Sequence, residues 1–248
     1  MAKAKGMIQL EGTIGGINYY MRKGKLVARK SGGGFNGKAI KKDPSMVKVR
    51  QNGSEFGAVS KMVKAFKTGI APLLFSNPFP ELHGRLMRLF TAVKNEDVVS
   101  ERGQRTIEAG LDTLKGKRML IGFSIPEQTK NFGKFYSNVH FDWTTYTLRF
   151  TGQIAELFTF SKTVTAVSFQ VGLLELGTDE AGCVLSLSEA IFITAADVLP
   201  EQVVAPTPKN GSAKCLAIVS VHQYERIGGV LYPVASKKAF CMEVVSVF

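Results

Sequence analysis

The first thirty residues of the chain alternate between apolar and polar positions, and glycines interrupt the alternation. A period of two predicts β-strands, and Gly15-Gly16 and Lys23-Gly24 fall at the interruptions. We therefore expect a β-meander or hairpin over residues 7–30, with residues 23–25 forming a turn. A sheet this small is marginal in water, so a further strand or a packed helix must cover it.

A helical period follows Asp43-Pro44, a pair that predicts a helix start because Asp caps helices well and Pro is tolerated at the first helical position. Apolar residues then recur three or four positions apart, which predicts one buried stripe. The stripe comprises Phe56, Val59, Val63, Phe66 and Ile70. Three lysines lie outside it: Lys61, Lys64 and Lys67. Gly53, Gly57 and Gly69 weaken this helix and indicate close packing or dependence on a partner surface.

Two further helices are predicted before residue 118. The first carries apolar positions from Leu82 to Val93. The second carries Ile107, Leu111 and Leu114, and Gly116 would end it as a left-handed cap. The front of the chain is therefore expected to hold a hairpin and about three helices.

From Met119 the apolar period returns to two, and no helical stretch is evident among the segments that follow. The predicted strands are 119–123, 138–143, 147–150, 163–176, 183–188, 190–195, 214–224, 230–234 and 239–248. Seven to nine short strands at this spacing favour an antiparallel β-sandwich of immunoglobulin-like or related type. The prediction is thus an α+β protein, with a basic hairpin and helical unit at 1–118 and a β-sandwich domain at 119–248.

Positive charge is concentrated at the front of this 248-residue chain, whose formal charge is +12. Residues 1–80 hold fifteen Lys or Arg and three Asp or Glu, whereas residues 121–248 hold nine and eleven. Such polarity suits a front that faces nucleic acid, an anionic membrane surface or the acidic face of a neighbouring subunit, and it equally suits a solvated face.

Aromatic side chains are interleaved with the cations of the front segment. Aromatic rings stack on bases and Lys or Arg contact phosphates, so these residues are candidates for contact with a polyanion or a protein partner. The candidates are Tyr19, Tyr20, Arg22, Lys23, Lys25, Arg29, Lys30, Lys38, Lys41, Lys42, Lys61 and Lys64.

Other motifs do not predict chemistry. Gly32 to Lys38 nearly matches a phosphate-binding loop, but position 39 is Ala and residues 40–44 should delay the helix that such a loop requires. His83, His140 and His222 are far apart, and no Ser-His-Asp pattern singles out a nucleophile. We predict no catalytic residue, metal, cofactor or small-molecule substrate.

The cysteines and the apolar runs bear on where the protein resides. Cys183, Cys215 and Cys241 lack CxxC spacing and are expected to be buried thiols rather than a disulfide framework. No apolar run is long enough to span a membrane, and no secretory pattern opens the chain. These features predict a cytoplasmic protein, or one within a particle assembled in the cytoplasm, with no membrane partner.

One further pattern combines Gly12-x-x-Gly15, Tyr19-Tyr20-x-Arg22, Asp43-Pro44 and the stretch from Val49 to Gly57 (VRQNGSEFG). It resembles a family of uncharacterised proteins in Bacteroidetes genomes, which share a basic Gly/Tyr-rich hairpin, a helical middle and a variable β-rich C-terminus. The resemblance covers about residues 7–75. The family has no assigned activity, so the resemblance implies no catalytic residues.

The favoured hypothesis is a structural protein that self-assembles into an ordered homo-oligomer, shell or filament, of phage-like or mobile-element origin. It depends on the absence of a catalytic motif, the Gly-rich segment 31–37, the charge polarity and strands that another copy could pair. The alternative is a nucleic-acid-binding or packaging protein that uses the basic front. An enzyme ranks third, because its site would have to be assembled from residues distant in sequence.

Overall fold

The computed structural model describes residues 10–31, 37–74, 79–127, 132–151, 157–158, 160–177, 182–198, 200–209 and 214–248, without the side chains of Lys38 and Lys237. It confirms the α+β class. The helices are α1 (Gly37–Lys42), α2 (Val47–Ile70), α3 (Leu82–Asn95), α4 (Ile107–Asp112), α5 (Leu114–Leu120) and α6 (Gly133–Ser137). Short 3-10 turns cover Pro44–Met46, Ala71–Leu73 and Lys237–Ala239.

The strands confirm most of the predicted segments. They are β1 (Gly12–Ile14), β2 (Ile17–Arg22), β3 (Lys25–Lys30), β4 (Ser124–Ile125), β5 (Val139–Asp142), β6 (Thr147–Phe150), β7 (Ala166–Glu175), β8 (Val184–Leu187), β9 (Ile191–Ile193), β10 (Gln202–Val204), β11 (Cys215–Ile227), β12 (Val230–Pro233) and β13 (Phe240–Val247). The prediction was wrong at 119–123, because Met119 and Leu120 end α5 and the strand begins at Ser124.

The chain forms two compact units, residues 1–50 and residues 51–248. This division differs from the expected boundary at residue 118. Helices α2 to α5 bury their apolar stripes against the large C-terminal sheet, so helices and sheet share one core.

A seven-stranded antiparallel sheet is the centre of the second unit, with the order β4-β13-β11-β7-β8 and with β12 and β9 paired to β11 and β7. Strands β7 and β11 pair over ten residues, from Cys215 opposite Glu175 to Tyr224 opposite Ala166. Nine of the ten residues of β7 are buried, as are nine of the thirteen residues of β11, whose exposed positions lie at the end that pairs with β12. Since successive side chains point to opposite faces, both faces of the sheet must be covered.

Helices α2 to α5 cover one face of this sheet. Four residues of the predicted stripe, Val59, Val63, Phe66 and Ile70, are fully or almost fully buried there with Leu216 and Ile218 of β11. Phe56 is the exception, since 64% of its surface is exposed. The three lysines placed outside the stripe are exposed, as predicted.

Helices α4 and α5 replace the single third helix that we predicted. Gly116 lies buried inside α5 instead of ending a helix, and a left-handed residue occurs only later, at Gly122 with φ +81°. A Cβ at Gly116 would collide with the carbonyl of Gly110, and a Cβ at Gly110 would collide with the carbonyl of Val93. These glycines therefore permit close helix packing.

The other face of the large sheet is covered by a three-stranded sheet, in the order β10-β6-β5, and by α6. The sequence predicted neither α6 nor β10. Phe135 and Tyr136 of α6 are buried, and the Tyr136 hydroxyl lies 3.1 Å from the carbonyl of Val219 and 3.0 Å from that of Cys241. Two sheets face each other, so the arrangement is sandwich-like, with a helical layer added on the outside.

A buried ion pair joins α2 to α3. Glu55 and Lys94 are each 6% exposed, and the Lys94 ammonium donates a hydrogen bond to the Glu55 carboxylate. The backbone N–H of Gly103 donates to the other carboxylate oxygen at 2.7 Å. Although burial raises the pKa of Glu55, the hydrogen bonds from Lys94 and Gly103 hold it below its ordinary value. The carboxylate is therefore charged at neutral pH and depends on Lys94.

We predict that Lys94→Met destabilises the protein by about 3–5 kcal/mol, because it leaves the Glu55 carboxylate buried without its counter-charge. The double variant Lys94→Met/Glu55→Gln removes both charges and keeps an acceptor for Gly103, so it should lose clearly less. Urea unfolding at pH 7 measures both values. A double variant as unstable as the single one would contradict this account of the pair.

Candidate partner-binding surface

Two tight turns shape the N-terminal sheet formed by β1, β2 and β3. Gly15 and Gly16 have φ of +57° and +76°, and Lys23 and Gly24 have φ of +51° and +71°. Positive φ at both central residues is typical of the two-residue turns that match the twist of a hairpin. The predicted turns are thus confirmed, and their length sets the register between the strands.

The register divides the N-terminal sheet into two chemically different faces, since directly paired residues point to the same side. The apolar face comprises Gly12, Ile14, Ile17, Tyr19, Met21, Leu26, Ala28 and Lys30. The cationic face comprises Thr13, Asn18, Tyr20, Arg22, Lys25, Val27 and Arg29. No acidic residue occurs in any of the three strands.

The apolar face is open to solvent. Ile14 is 56% exposed, Ile17 39% and Met21 37%, and Tyr19 and Leu26 are partly buried. Within the described residues of the first unit, 10–31 and 37–50, none is buried. The sheet therefore has no core of its own among these residues, which is unusual for a folded segment with this many large apolar side chains.

The cationic face concentrates positive charge. Arg22 is paired directly with Lys25, a like-charge arrangement that is unfavourable across strands. Arg29 lies further along the same face, with its guanidinium 5.6 Å from the centre of the Tyr20 ring. Among the ion pairs of the described residues, none involves these three cations. The face is therefore an uncompensated cationic surface with an aromatic ring on it.

The structure does not bring all of the sequence-predicted contact residues onto one face. Tyr20, Arg22, Lys25 and Arg29 share the cationic face, whereas Tyr19 and Lys30 lie on the apolar face and Lys23 is in a turn. Lys41 and Lys42 end helix α1, and the side chain of Lys38 lies outside the described part of the structure. Lys61 and Lys64 are exposed on α2 in the second unit.

The sequence interpretation missed the apolar face. Its large non-aromatic apolar residues are Ile14, Ile17, Met21 and Leu26, and none of these four was selected as a candidate. A signal for it does exist, because two-residue turns at 15–16 and 23–24 fix the register and the register assigns the faces.

Helix α1 begins at Gly37, which corrects the expectation that residues 40–44 delay any helix. Asp43 ends this segment and caps the next turn, since its side chain accepts from the Ser45 N–H at 2.8 Å. The Arg50 guanidinium donates to the carbonyls of Ile40 and Asp43. Residues 32–36 make up most of the Gly-rich segment and of the near match to a phosphate-binding loop, and they lie outside the described residues. Every described strand pair is antiparallel.

A groove of about 450 Å³ lies between α2 and the start of α4 in the second unit, lined by Gly53, Gly57, Lys61, Thr106 and Glu108 among others. A Cβ at Gly53 or Gly57 would meet nothing within 4 Å. Close packing within the chain therefore does not explain these two glycines, although it explains Gly69, where a Cβ would lie 2.9 Å from the Cys183 carbonyl oxygen.

The three histidines lie on different elements, His83 on α3, His140 on β5 and His222 on β11. His140 is paired with Arg149 on the small sheet, and His222 is paired with Ser168 on the large one. Burial lowers the pKa of His222 to about 4 and raises that of the Cys215 thiol to about 11. The other two cysteines are buried as predicted, and no group of three or more His, Cys, Asp or Glu in the described segments is arranged to hold a metal ion.

Comparisons of the chain with protein-family models, with curated proteins and with solved structures give no match. The resemblance to the Bacteroidetes family therefore stays a prediction. Within the described residues, no helix combines the length and the apolar character that crossing a bilayer demands.

Glu243 on β13 is partly buried, and burial raises its pKa to about 7 from an ordinary value of 4.5. A carboxyl whose pKa is raised in the folded state stabilises the fold below its unfolded pKa, and this stabilisation disappears as pH rises through the folded value. We predict that Glu243→Gln removes this loss, so the stability of the variant relative to wild type should increase from pH 4.5 to pH 8 by more than about 1.4 kcal/mol.

Denaturant unfolding of both proteins across this pH range tests the point. Because His222 has a lowered pKa, it acts in the opposite direction, favouring the folded state as pH rises from 4 to 6.5. The comparison of wild type with Glu243→Gln cancels that contribution. A difference that stays constant with pH would contradict the role assigned to Glu243.

Proposed function

We propose that the protein is a structural, self-associating protein whose N-terminal sheet buries its apolar face against another copy of the chain. The observation that carries this proposal is the exposed apolar face on a sheet with no buried residue of its own in the described segments. Ordered homo-oligomers, shells and filaments are built from contacts of this kind.

A three-stranded sheet with one solvated apolar face is only marginally stable. Taking one Ile, Leu or Met fully out of water contributes about 1.5–3 kcal/mol. Ile14, Ile17, Met21 and Leu26 lie together on this face, so their burial offsets much of the entropy cost of association.

A second copy of the same face suits this surface better than an acidic partner does. The apolar face carries one cation, Lys30, and no acidic residue, so it is matched to another apolar surface. Sheets packed face to face lie about 10 Å apart. The cationic faces then point outward on opposite sides, separated by more than the Debye length of about 8 Å at physiological salt, and repulsion between them is weak.

A contact between two identical faces would give a dimer, and a larger assembly needs a second contact. The hairpin of β11 and β12 supplies an apolar surface for one. Ile227, Val230 and Tyr232 share one face of this hairpin and are 57%, 54% and 48% exposed, and the partly buried Glu225, which is paired with Tyr232, lies at the edge of the same face. Each chain therefore offers two exposed apolar strand surfaces, which supports propagation beyond a dimer.

We predict that Ile17→Asp weakens association strongly and that Asn18→Asp, the matched control, does not. The two substitutions add the same charge to neighbouring positions of β2, but Ile17 is on the apolar face and Asn18 on the cationic face. A charge buried in the contact should weaken association by at least about tenfold, as for an unpaired buried charge. Light scattering over a concentration series, with electron microscopy of the largest species, measures the effect.

A wild-type protein that stays strictly monomeric at the highest concentration would refute the proposal. Equal loss of association in both variants would also refute the assignment of the contact to the apolar face. Circular dichroism and urea unfolding of each variant verify that the second unit remains folded.

A further inference from the structure

The cationic face of the N-terminal sheet is left outward when the apolar face is covered, and it has a charge pattern of its own. Arg22 and Lys25 form one directly opposed pair, and Arg29 lies beside Asn18 on the same face. Asn18 and Arg22 are four residues apart on β2, which corresponds to about 13 Å along a strand. The cations thus start from two backbone positions on the face, with the position of Tyr20 between them.

The Tyr20 side chain lies between these two positions. It is paired with Val27, midway between the Arg22–Lys25 and Asn18–Arg29 pairs, and its ring is 5.6 Å from the Arg29 guanidinium. Single-stranded nucleic acids bind open sheet surfaces that carry an aromatic ring between cations. A base stacks on the ring, and the phosphates contact Lys or Arg. Asn18 and Thr13 add polar groups to the same face.

The placement of apolar residues disfavours a lipid surface. Proteins that lie on anionic membranes insert apolar side chains beside their cations, on the side that faces the lipid. Here the apolar side chains Ile14, Ile17, Met21 and Leu26 point away from Arg22, Lys25 and Arg29. A linear polyanion with stackable rings matches the cationic face better than a bilayer does.

We propose that the cationic face binds single-stranded nucleic acid, with Arg22, Lys25 and Arg29 contacting phosphates and Tyr20 stacking on a base. The contact is independent of base sequence, since cations and a ring recognise what every nucleotide shares. Binding of this kind does not depend on the proposed self-association, because it uses the opposite face of the sheet.

Fluorescence anisotropy of the full chain with a labelled 20-nucleotide thymidine oligonucleotide tests this proposal. The triple variant Arg22→Gln/Lys25→Gln/Arg29→Gln should bind at least about tenfold more weakly at low salt, and its plot of log affinity against log salt should be shallower by about 2, or 0.7 for each lost contact. The control Lys134→Gln/Lys162→Gln/Lys238→Gln removes the same charge from exposed positions of the second unit and should bind as wild type does.

Tyr20 is tested separately. Tyr20→Leu should weaken oligonucleotide binding several-fold without changing the salt slope, and Tyr20→Phe should restore it, since stacking needs the ring and not the hydroxyl. An equal loss in the two triple variants would show only diffuse attraction and would overturn the proposal. Binding to phosphatidylserine vesicles without binding to the oligonucleotide would overturn it in favour of a membrane surface.

Self-association and nucleic-acid binding can be tested independently of each other. The Ile17→Asp variant should still bind the oligonucleotide when it no longer associates. Suppose that this variant loses oligonucleotide binding while circular dichroism shows that the sheet is intact. The nucleic-acid surface would then require the assembled state, which contradicts the claim that binding is independent of self-association.

Discussion

The two-sided burial of the β7–β11 pair is the constraint on which the second unit depends. Along their paired length, 166–175 and 215–224, every residue except Gln170 and Gln223 is buried, with Leu216 and Ile218 facing the helices and Ala217 and Val219 facing the small sheet. Such a pair cannot be stable with either face in water. The helical layer and the small sheet are therefore both required, and the helices cannot form a domain separate from the strands that follow them.

The first unit shows the opposite situation. Its short strands carry most of their apolar residues on one side, and none of these residues is fully buried in the described segments. An exposed patch of this kind in an otherwise well-packed chain is typical of a protein interface. The separation of most apolar and cationic residues onto opposite faces gives the sheet two different surfaces, so the proposed association and the proposed polyanion binding use different side chains.

Local sequence patterns predicted several segments correctly, and in these segments the structure depends mainly on residues that are close in the chain. The turn at Lys23-Gly24, the cap at Asp43 and the strand at 147–150 were predicted and confirmed. The stripe on α2 was predicted except for Phe56, which is exposed. These features depend on backbone conformation or on periodicity, both of which can be read from a few residues.

Features that depend on distant contacts were not predictable in this way. Helix α6 has only five residues and is stabilised by burial of Phe135 and Tyr136 against strands far along the chain. Gly116 resembles a helix cap in sequence, but in the structure it permits the close approach of α4 and α5. The apolar face of the N-terminal sheet could have been found from the two turns, whereas its exposure required the structure.

Cross-linking through a single introduced thiol tests the burial of the apolar face against another copy most directly. The three native cysteines are buried, so a short bis-maleimide reagent should report mainly on Ile17→Cys or Asn18→Cys. The account predicts a covalent dimer that forms readily with Ile17→Cys and only weakly with Asn18→Cys on the opposite face. Equal yields from the two positions, or no dimer from Ile17→Cys in a protein that still associates, would contradict it.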